Sequence, residues 1–346
     1  HAEIRTAEGR VLRFESAWME ERIESKNELK RALYRALTEL TGKALPWGTL
    51  TGIRPAKLAL TRLQEGKSAD EVRAEFKRDF FLSDARNELC VRTAENELRA
   101  IRGLDFSTGY SLYIGIPFCP TTCLYCSFPS YPIGSKKSTV YLAALKEEIR
   151  LVAELMAEKR LDAIYVGGGT PTSLSAAELE DLLGFVRGLF DLSALREFTV
   201  EAGRPDSISR EKLIVLKEQG ADRISINPQT LKQETLDLIG RFHTVDQFTE
   251  SFRLARELGF DNINTDLIMG LPNESEADVR RTMEGIRALS PDDVTIHSLA
   301  LKRAARLNTK REDYADVSYG DANRMVELAS SYCEKMGLSP YYLYRQ

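Results

Sequence analysis

The chain has 346 residues, enough for a large barrel and a smaller domain, and its 43% hydrophobic and 29% charged residues are those of an ordinary globular protein. A formal net charge of −4, with no stripe of clustered aromatic and basic residues, argues against a nucleic-acid or anionic-membrane partner. No apolar stretch approaches the roughly 20 residues that span a bilayer, and the N-terminus lacks the order of a signal peptide, so a cytoplasmic protein without a membrane span is expected.

The first twenty residues suggest a pair of strands. A helix is expected over Glu28 to Leu40, where Leu29, Leu33, Leu37 and Leu40 recur at helical spacing after Asn27 as a cap. Thr51 to Leu58 reads as a turn around Pro55, or as a partner contact through Arg54 and Lys57. Asp70 to Phe81 and Asp84 to Ile101 are further expected helices. Residues 1–106 are thus expected to form a mainly α-helical domain, with a linker from Gly103 to Gly109. The chain opens on His1-Ala2-Glu3 and stops at Tyr344-Arg345-Gln346, which suggests a fragment of a longer polypeptide.

From Tyr110 short apolar strands alternate with amphipathic helices. Expected strands are Ser111 to Ile116, Ala163 to Val166, Glu197 to Glu201, Arg223 to Asn227, Asn262 to Asp266 and Asp293 to His297. Ser175 with Glu178, Thr244 with Gln247 and Ser275 with Asp278 resemble capping boxes, and Gly220 and Gly259 act as helix stops. Such alternation predicts parallel βα units in residues 107–346, either an open doubly wound sheet or a barrel, with ligands at the C-terminal strand ends.

After the first of these strands comes Ile116-Pro117-Phe118-Cys119-Pro120-Thr121-Thr122-Cys123-Leu124-Tyr125-Cys126. Three thiolates spaced CxxxCxxC can hold three irons of a 4Fe-4S cube and leave the fourth open to an external ligand. A structural zinc site wants four ligands, usually in two pairs, and only Cys90 and Cys333 remain, each alone. Five cysteines, sparse and odd in number, also disfavour a disulfide framework. Three unrelated buried thiols are the plain alternative.

Tyr113-Ile114-Gly115-Ile116-Pro117-Phe118-Cys119 running into this triplet resembles the radical S-adenosylmethionine (SAM) superfamily, and within it the oxygen-independent coproporphyrinogen III dehydrogenase-like group. Later runs agree in order: Gly167-Gly168-Gly169-Thr170-Pro171-Thr172, Thr199-Val200-Glu201-Ala202, Arg223-Ile224-Ser225-Ile226-Asn227-Pro228-Gln229, Gly240-Arg241-Phe242-His243 and Asp266-Leu267-Ile268-Met269-Gly270-Leu271-Pro272. Thr51-Gly52-Ile53-Arg54-Pro55-Ala56-Lys57-Leu58 further resembles the HemZ branch of that group. The resemblance selects an α/β fold, a partial six-stranded (β/α)6 barrel, and implies that the group's C-terminal accessory domain is missing.

By the same resemblance Cys119, Cys123 and Cys126 hold a 4Fe-4S cluster whose open iron takes SAM. Tyr125 would lie beside adenine, and Tyr113 near the sulfonium, against core packing as the plain reading of either aromatic. Gly168, Gly169 and Thr170 would meet the SAM amino and carboxylate groups. Glu201 and Arg241 would serve its methionyl end, and Gln229, Asp266 and Ile268 its adenosine side, against simple solvation of strand-end polar groups. His243 is a candidate proton donor or haem ligand with Tyr113 and Arg241, and His297 a weaker one. Lys302, Arg303 and Arg306 would neutralise tetrapyrrole propionates, or form a solvated basic face.

One departure matters. Where authentic coproporphyrinogen dehydrogenases resembling this chain carry a further cysteine, two positions after the third ligand, Phe128 stands, as in haem-chaperone relatives. The expected activity is oxygen-independent oxidative decarboxylation of coproporphyrinogen III, with a reductant such as flavodoxin or ferredoxin. The alternatives are a haem chaperone retaining cluster and SAM site, and a radical SAM methyl-transfer or haem-opening enzyme. The oligomeric state is not legible.

Overall fold

The computed structural model describes residues 2–5, 7, 9, 11–17, 19–314 and 316–345. They divide into two compact units, one of residues up to Gly103 together with those from Ser339 on, the other Leu104–Leu338.

In the first unit β1 (Ala2–Arg5) pairs antiparallel with β2 (Val11–Phe14), followed by α1 (Arg22–Thr41), α2 (Pro55–Gln64), α3 (Ala69–Phe80) and α4 (Asp84–Ala100). The cap expected at Asn27 is not observed. Ser25 bonds both the N–H and the carbonyl of Met19, at 2.8 and 2.9 Å, which ties the incoming chain earlier and leaves Asn27 inside α1. The turn expected over residues 51–58 ends at Arg54, because Pro55 opens α2 at the first helical position, where its missing N–H costs nothing. Ser68 and Glu71 form a capping box on α3, worth about 1 kcal/mol. Ala56, Ala59, Val72, Phe76, Cys90, Val91 and Ala94 make this unit's core. The last residues join it too, although the sequence reading placed them with the barrel: Asn96 Nδ2 donates to Pro340 O at 2.7 Å, and Arg345 N to Ile53 O at 2.7 Å.

The second unit runs β3 (Gly109–Ile116), β4 (Phe118–Cys119), β5 (Tyr131–Pro132), α5 (Ser135–Leu155), β6 (Arg160–Gly168), α6 (Ala176–Leu189), β7 (Glu197–Gly203), α7 (Arg210–Glu218), β8 (Arg223–Ile226), α8 (Gln233–Leu238), α9 (Val245–Glu257), β9 (Asn262–Met269), α10 (Glu276–Leu289), β10 (Asp293–Ser298), α11 (Arg306–Thr309) and α12 (Ala322–Lys335). Among the described residues six strands form one parallel sheet in the order β3-β6-β7-β8-β9-β10. This is the expected partial (β/α) barrel. The capping boxes at Ser175, Thr244 and Ser275 are all formed, and Gly220 and Gly259 stop their helices at φ +89° and +84°.

Strand residues alternate between the two sheet faces. Ile114, Ile116, Val166, Val200, Ile224, Ile263 and Leu267 join helix residues such as Leu179, Leu182, Leu213 and Phe248 in the hydrophobic core. The alternate positions carry Tyr113, Tyr165, Glu201, Ser225, Asn264 and Asp266, so the opposite face is polar. Burying one face on helices leaves the other for chemistry. No described helix is long and apolar enough to cross a membrane.

Candidate active site

The three cysteines follow β3 on a loop fastened from several sides. Leu124 N donates to Ile239 O at 2.9 Å, Leu307 N to Leu124 O at 2.9 Å, and Tyr131 N to Pro117 O at 2.8 Å. Thr121 Oγ1 donates to Gly240 O at 3.3 Å. Within the loop Cys126 N donates to Cys123 O at 3.2 Å. Burial pushes the Cys126 thiol up, and the charges of Cys123 and Cys119 add to this. Among the described residues no three His, Cys, Asp or Glu side chains are set to grip one metal ion. Thiolates are the donors that hold a 4Fe-4S cluster, and three of them on one short segment suit such a group, with the Thr170 hydroxyl and the Arg204 guanidinium lying against two of the sulfurs.

The glycine run after β6 holds this loop. Gly169 N donates to Ile116 O at 2.8 Å and Thr170 N to Phe118 O at 2.7 Å, while Gly168 N donates to Glu201 Oε2 at 3.3 Å. Those N–H groups are engaged within the protein. Thr170 is buried, and its Oγ1 donates to Cys119 Sγ at 3.5 Å. Gly168 has φ +107°, and a Cβ there would stand 3.3 Å from the Tyr113 hydroxyl. Tyr113, 61% exposed, stacks on Tyr165 at 5.8 Å between ring centres.

Tyr165 in turn donates to Glu201 Oε1. Burial raises the Glu201 pKa and the Asp266 charge adds to it, against the Tyr165 and Gly168 hydrogen bonds. Asp266 Oδ1 accepts from Asn264 Nδ2 at 2.7 Å, and its backbone N–H donates to Asn227 Oδ1 at 3.1 Å. Asn227 O accepts from Arg241 Nη1 at 2.5 Å, so one asparagine links the ends of β8 and β9 to the loop after α8. Gln229 is held at φ +71° by bonds from its N–H to Asp266 O at 3.1 Å and from Ile268 N to its carbonyl at 2.9 Å. Buried Gln229 Oε1 and Arg241 Nε have no hydrogen-bond partner among the described residues. An unmet acceptor and an unmet charged donor at the strand ends suit a ligand with hydroxyl, ammonium and carboxylate groups. Ile268 and half-buried Tyr125 pack together with Ile239, Leu271 and Leu299.

His243 departs from expectation. It is fully buried, and burial, with the Arg241 charge adding, lowers its pKa to about 3. Both ring nitrogens lack partners among the described residues. The imidazole is therefore neutral and enclosed rather than open to solvent. His297, Lys302, Arg303 and Arg306 are exposed.

Three contributors escaped the sequence reading. Tyr165 stands two residues before the glycine run. Arg204 and Asp206 follow β7 in Gly203-Arg204-Pro205-Asp206, an ion pair of side-chain exposures 3% and 19% beside the cysteine loop. Removing one member of so enclosed a pair typically costs about 3–5 kcal/mol.

Residues 113–286 match the Radical SAM superfamily. The chain is 41% identical over 327 residues to the oxygen-independent coproporphyrinogen-III oxidase-like protein HemZ of Bacillus subtilis, covering 93% of this chain and 65% of that protein. It is 40% identical over 193 residues to the heme chaperone HemW of the same organism, covering 56% of this chain and 51% of that protein. The chain therefore spans less than two thirds of the length of either. Among solved structures it is similar to coproporphyrinogen III oxidase (HemN) of Escherichia coli, a radical SAM enzyme, with a TM-score of 0.60 and 27% identity over 66% of this chain and 52% of that one. The matched span contains the cysteine loop, the glycine run and strands β6 to β9, and the chain belongs to the radical SAM superfamily.

Proposed function

We propose that this protein carries out oxygen-independent oxidative decarboxylation of coproporphyrinogen III. As a radical SAM protein of the HemN, HemZ and HemW group it works with a 4Fe-4S cluster and SAM. When bound, that pair supplies a 5'-deoxyadenosyl radical by one-electron cleavage of a carbon–sulfur bond. In the proposed net reaction each of two propionates gives a hydrogen atom to a 5'-deoxyadenosyl radical, which leaves as 5'-deoxyadenosine, and passes one electron to an external one-electron acceptor as carbon dioxide departs and the vinyl group forms.

The chain's own residues divide that work. Cys119, Cys123 and Cys126 would hold the cluster, and the backbone bonds from Gly169 and Thr170 fix the loop that presents them. Glu201, anchored by Tyr165 and Gly168, would offer an anion to the SAM amino group, and Arg241 a cation to its carboxylate. Gln229 and Asp266 would accept from the ribose hydroxyls, with Ile268 and Tyr125 flanking the base. Exposed Tyr113 stands over the glycine turn at the open side. Lys302, Arg303 and Arg306, exposed after β10, suit substrate carboxylates.

The observation that most favours this substrate is the HemZ likeness, which extends over 93% of the chain and so includes the helical unit as well as the barrel. The test is anaerobic: reconstituted protein is given SAM, a flavodoxin-type reductant and coproporphyrinogen III, and products are followed by mass spectrometry. Decarboxylated porphyrinogen with matching 5'-deoxyadenosine supports the reading. Deoxyadenosine with intact coproporphyrinogen sinks it.

A second reading, haem binding and delivery, has one observation of its own. Phe128 is 72% exposed where a fourth cysteine stands in the dehydrogenases that this chain resembles, and the HemW likeness accompanies it. A haem absorbance band on mixing with haem, without decarboxylation, would favour it.

A further inference from the structure

Arg204 faces two ways. Its Nε and Nη2 donate to the two Asp206 carboxylate oxygens at 2.9 and 2.6 Å. Its Nη1 donates to Thr121 Oγ1 at 2.6 Å, to Thr121 O at 3.2 Å and to Cys123 Sγ at 3.8 Å. A guanidinium is a rigid plane, so a carboxylate gripping one edge aims the remaining nitrogen. Here that nitrogen meets a sulfur of the cysteine loop, and the side chain is only 3% exposed, so water screens little of its charge. Hydrogen bonds to cluster sulfurs and nearby fixed charge are two of the means by which a protein sets a cluster's potential.

We propose that Arg204 is a positioning residue that raises the reduction potential of the iron–sulfur cluster through its contact with Cys123, and that Asp206 aims it and offsets part of its charge. The proposal rests on Cys119, Cys123 and Cys126 being the cluster ligands. The step it governs is a one-electron reduction: a low-potential donor loses one electron, the cluster gains it, and no proton or bond to the protein changes. The gained electron adds negative charge beside Arg204, so the cation favours the reduced form and the Asp206 carboxylate disfavours it.

The test is a redox titration of the anaerobically reconstituted chain at fixed pH without SAM, following the paramagnetic signal of the reduced cluster, with dithionite as donor. Arg204→Met is expected to lower the reduction equilibrium about tenfold, a shift of about 59 mV to more negative potential for a one-electron couple. Asp206→Asn, which leaves Arg204 in place, is expected to shift the potential the other way. Arg204→Lys, which keeps the charge and loses the planar donor, is expected to fall between wild type and Arg204→Met. Iron and sulfide content verify that each variant retains its cluster. A purely structural pair would move neither potential, or both in one direction, and either result overturns the proposal. Should Arg204→Met lose its cluster, the Asp206→Asn arm decides alone: a positive shift supports the proposal, and none overturns it. A wild-type chain that forms no cluster, or a Cys123→Ser chain that keeps an unaltered one, overturns the ligand assignment and the proposal with it.

Discussion

Tyr165 on β6 donates its hydroxyl to Glu201 on β7, and the other oxygen of the same carboxylate accepts from Gly168 N–H at 3.3 Å. The glycine turn, the stacked tyrosines and the acidic residue therefore form one assembly. Burial has raised the Glu201 pKa, with Asp266 adding, so a lower pH removes the anion proposed to meet the SAM amino group. SAM affinity should rise with pH through this raised pKa. Tyr165→Phe removes a donor to the charged form and should weaken SAM binding about fivefold to tenfold where the wild-type carboxylate is only partly ionised, with recovery at higher pH. Calorimetric titration at two pH values checks this, and equal affinity for both proteins at both pH values would refute it.

The cysteines sort by surroundings. Cys90 lies in the core of the helical unit, where burial pushes its thiol up to about 12, and Cys333 is pushed to about 11 by burial with Asp293 adding. Such thiols are inert at neutral pH. Serine at Cys119, Cys123 or Cys126 should abolish the visible absorbance of the reconstituted cluster, whereas Cys333→Ala and Cys90→Ala should keep it. Retention of a full cluster by any of the three loop variants would remove that residue from the ligand set.

Gly169 shows why glycine is needed beside the loop. An added Cβ would stand 2.6 Å from Phe118 O and 2.8 Å from Ile116 O, both backbone atoms that cannot swing aside. Gly169→Ala should displace the segment leading into Cys119, cost about 1–3 kcal/mol and reduce cluster occupancy. Gly188→Ala, inside α6 where a Cβ meets nothing within 4 Å, is the control and should keep cluster occupancy while raising stability by about 1 kcal/mol. Iron analysis beside urea denaturation separates the two; equal behaviour of the variants would show that the close approach does not matter.

What the sequence made legible follows periodicity and local chemistry. The six parallel strands read clearly because their apolar positions pack on helices, and the capping boxes read clearly because they are local. The starts of α1 and α2 did not, since one depends on Ser25 reaching Met19 and the other on Pro55 opening a helix that resembled a turn. The cysteine loop was visible through spacing alone. Arg204 was not, because its meaning lies in a contact to Cys123 across 81 positions. His243 stood beside Arg241 in sequence and looked like its partner in chemistry, yet the fold encloses it entirely. Burial is set by the packing of distant elements, which a local motif does not record.

Glu274, in the turn before α10, is 5% exposed, and its Oε1 accepts from Thr230 Oγ1 at 2.5 Å. Thr230 follows Gln229, so this bond anchors the residue held at positive φ beside Asp266. Burial raises the Glu274 pKa to about 7, with Asp278 adding and Thr230 opposing. Between its ordinary value, about 4.5, and about 7 the folded chain holds a proton that the unfolded chain releases. The stability this protonation supplies is complete below that ordinary value and is lost as pH rises through the folded one, a change on the order of 3 kcal/mol. Urea midpoints should therefore fall between pH 5 and pH 7.5 in wild type. Glu274→Gln keeps a neutral acceptor for Thr230 and should flatten that fall. Parallel pH slopes for wild type and variant would show that Glu274 is already ionised in the fold and that another group anchors the turn.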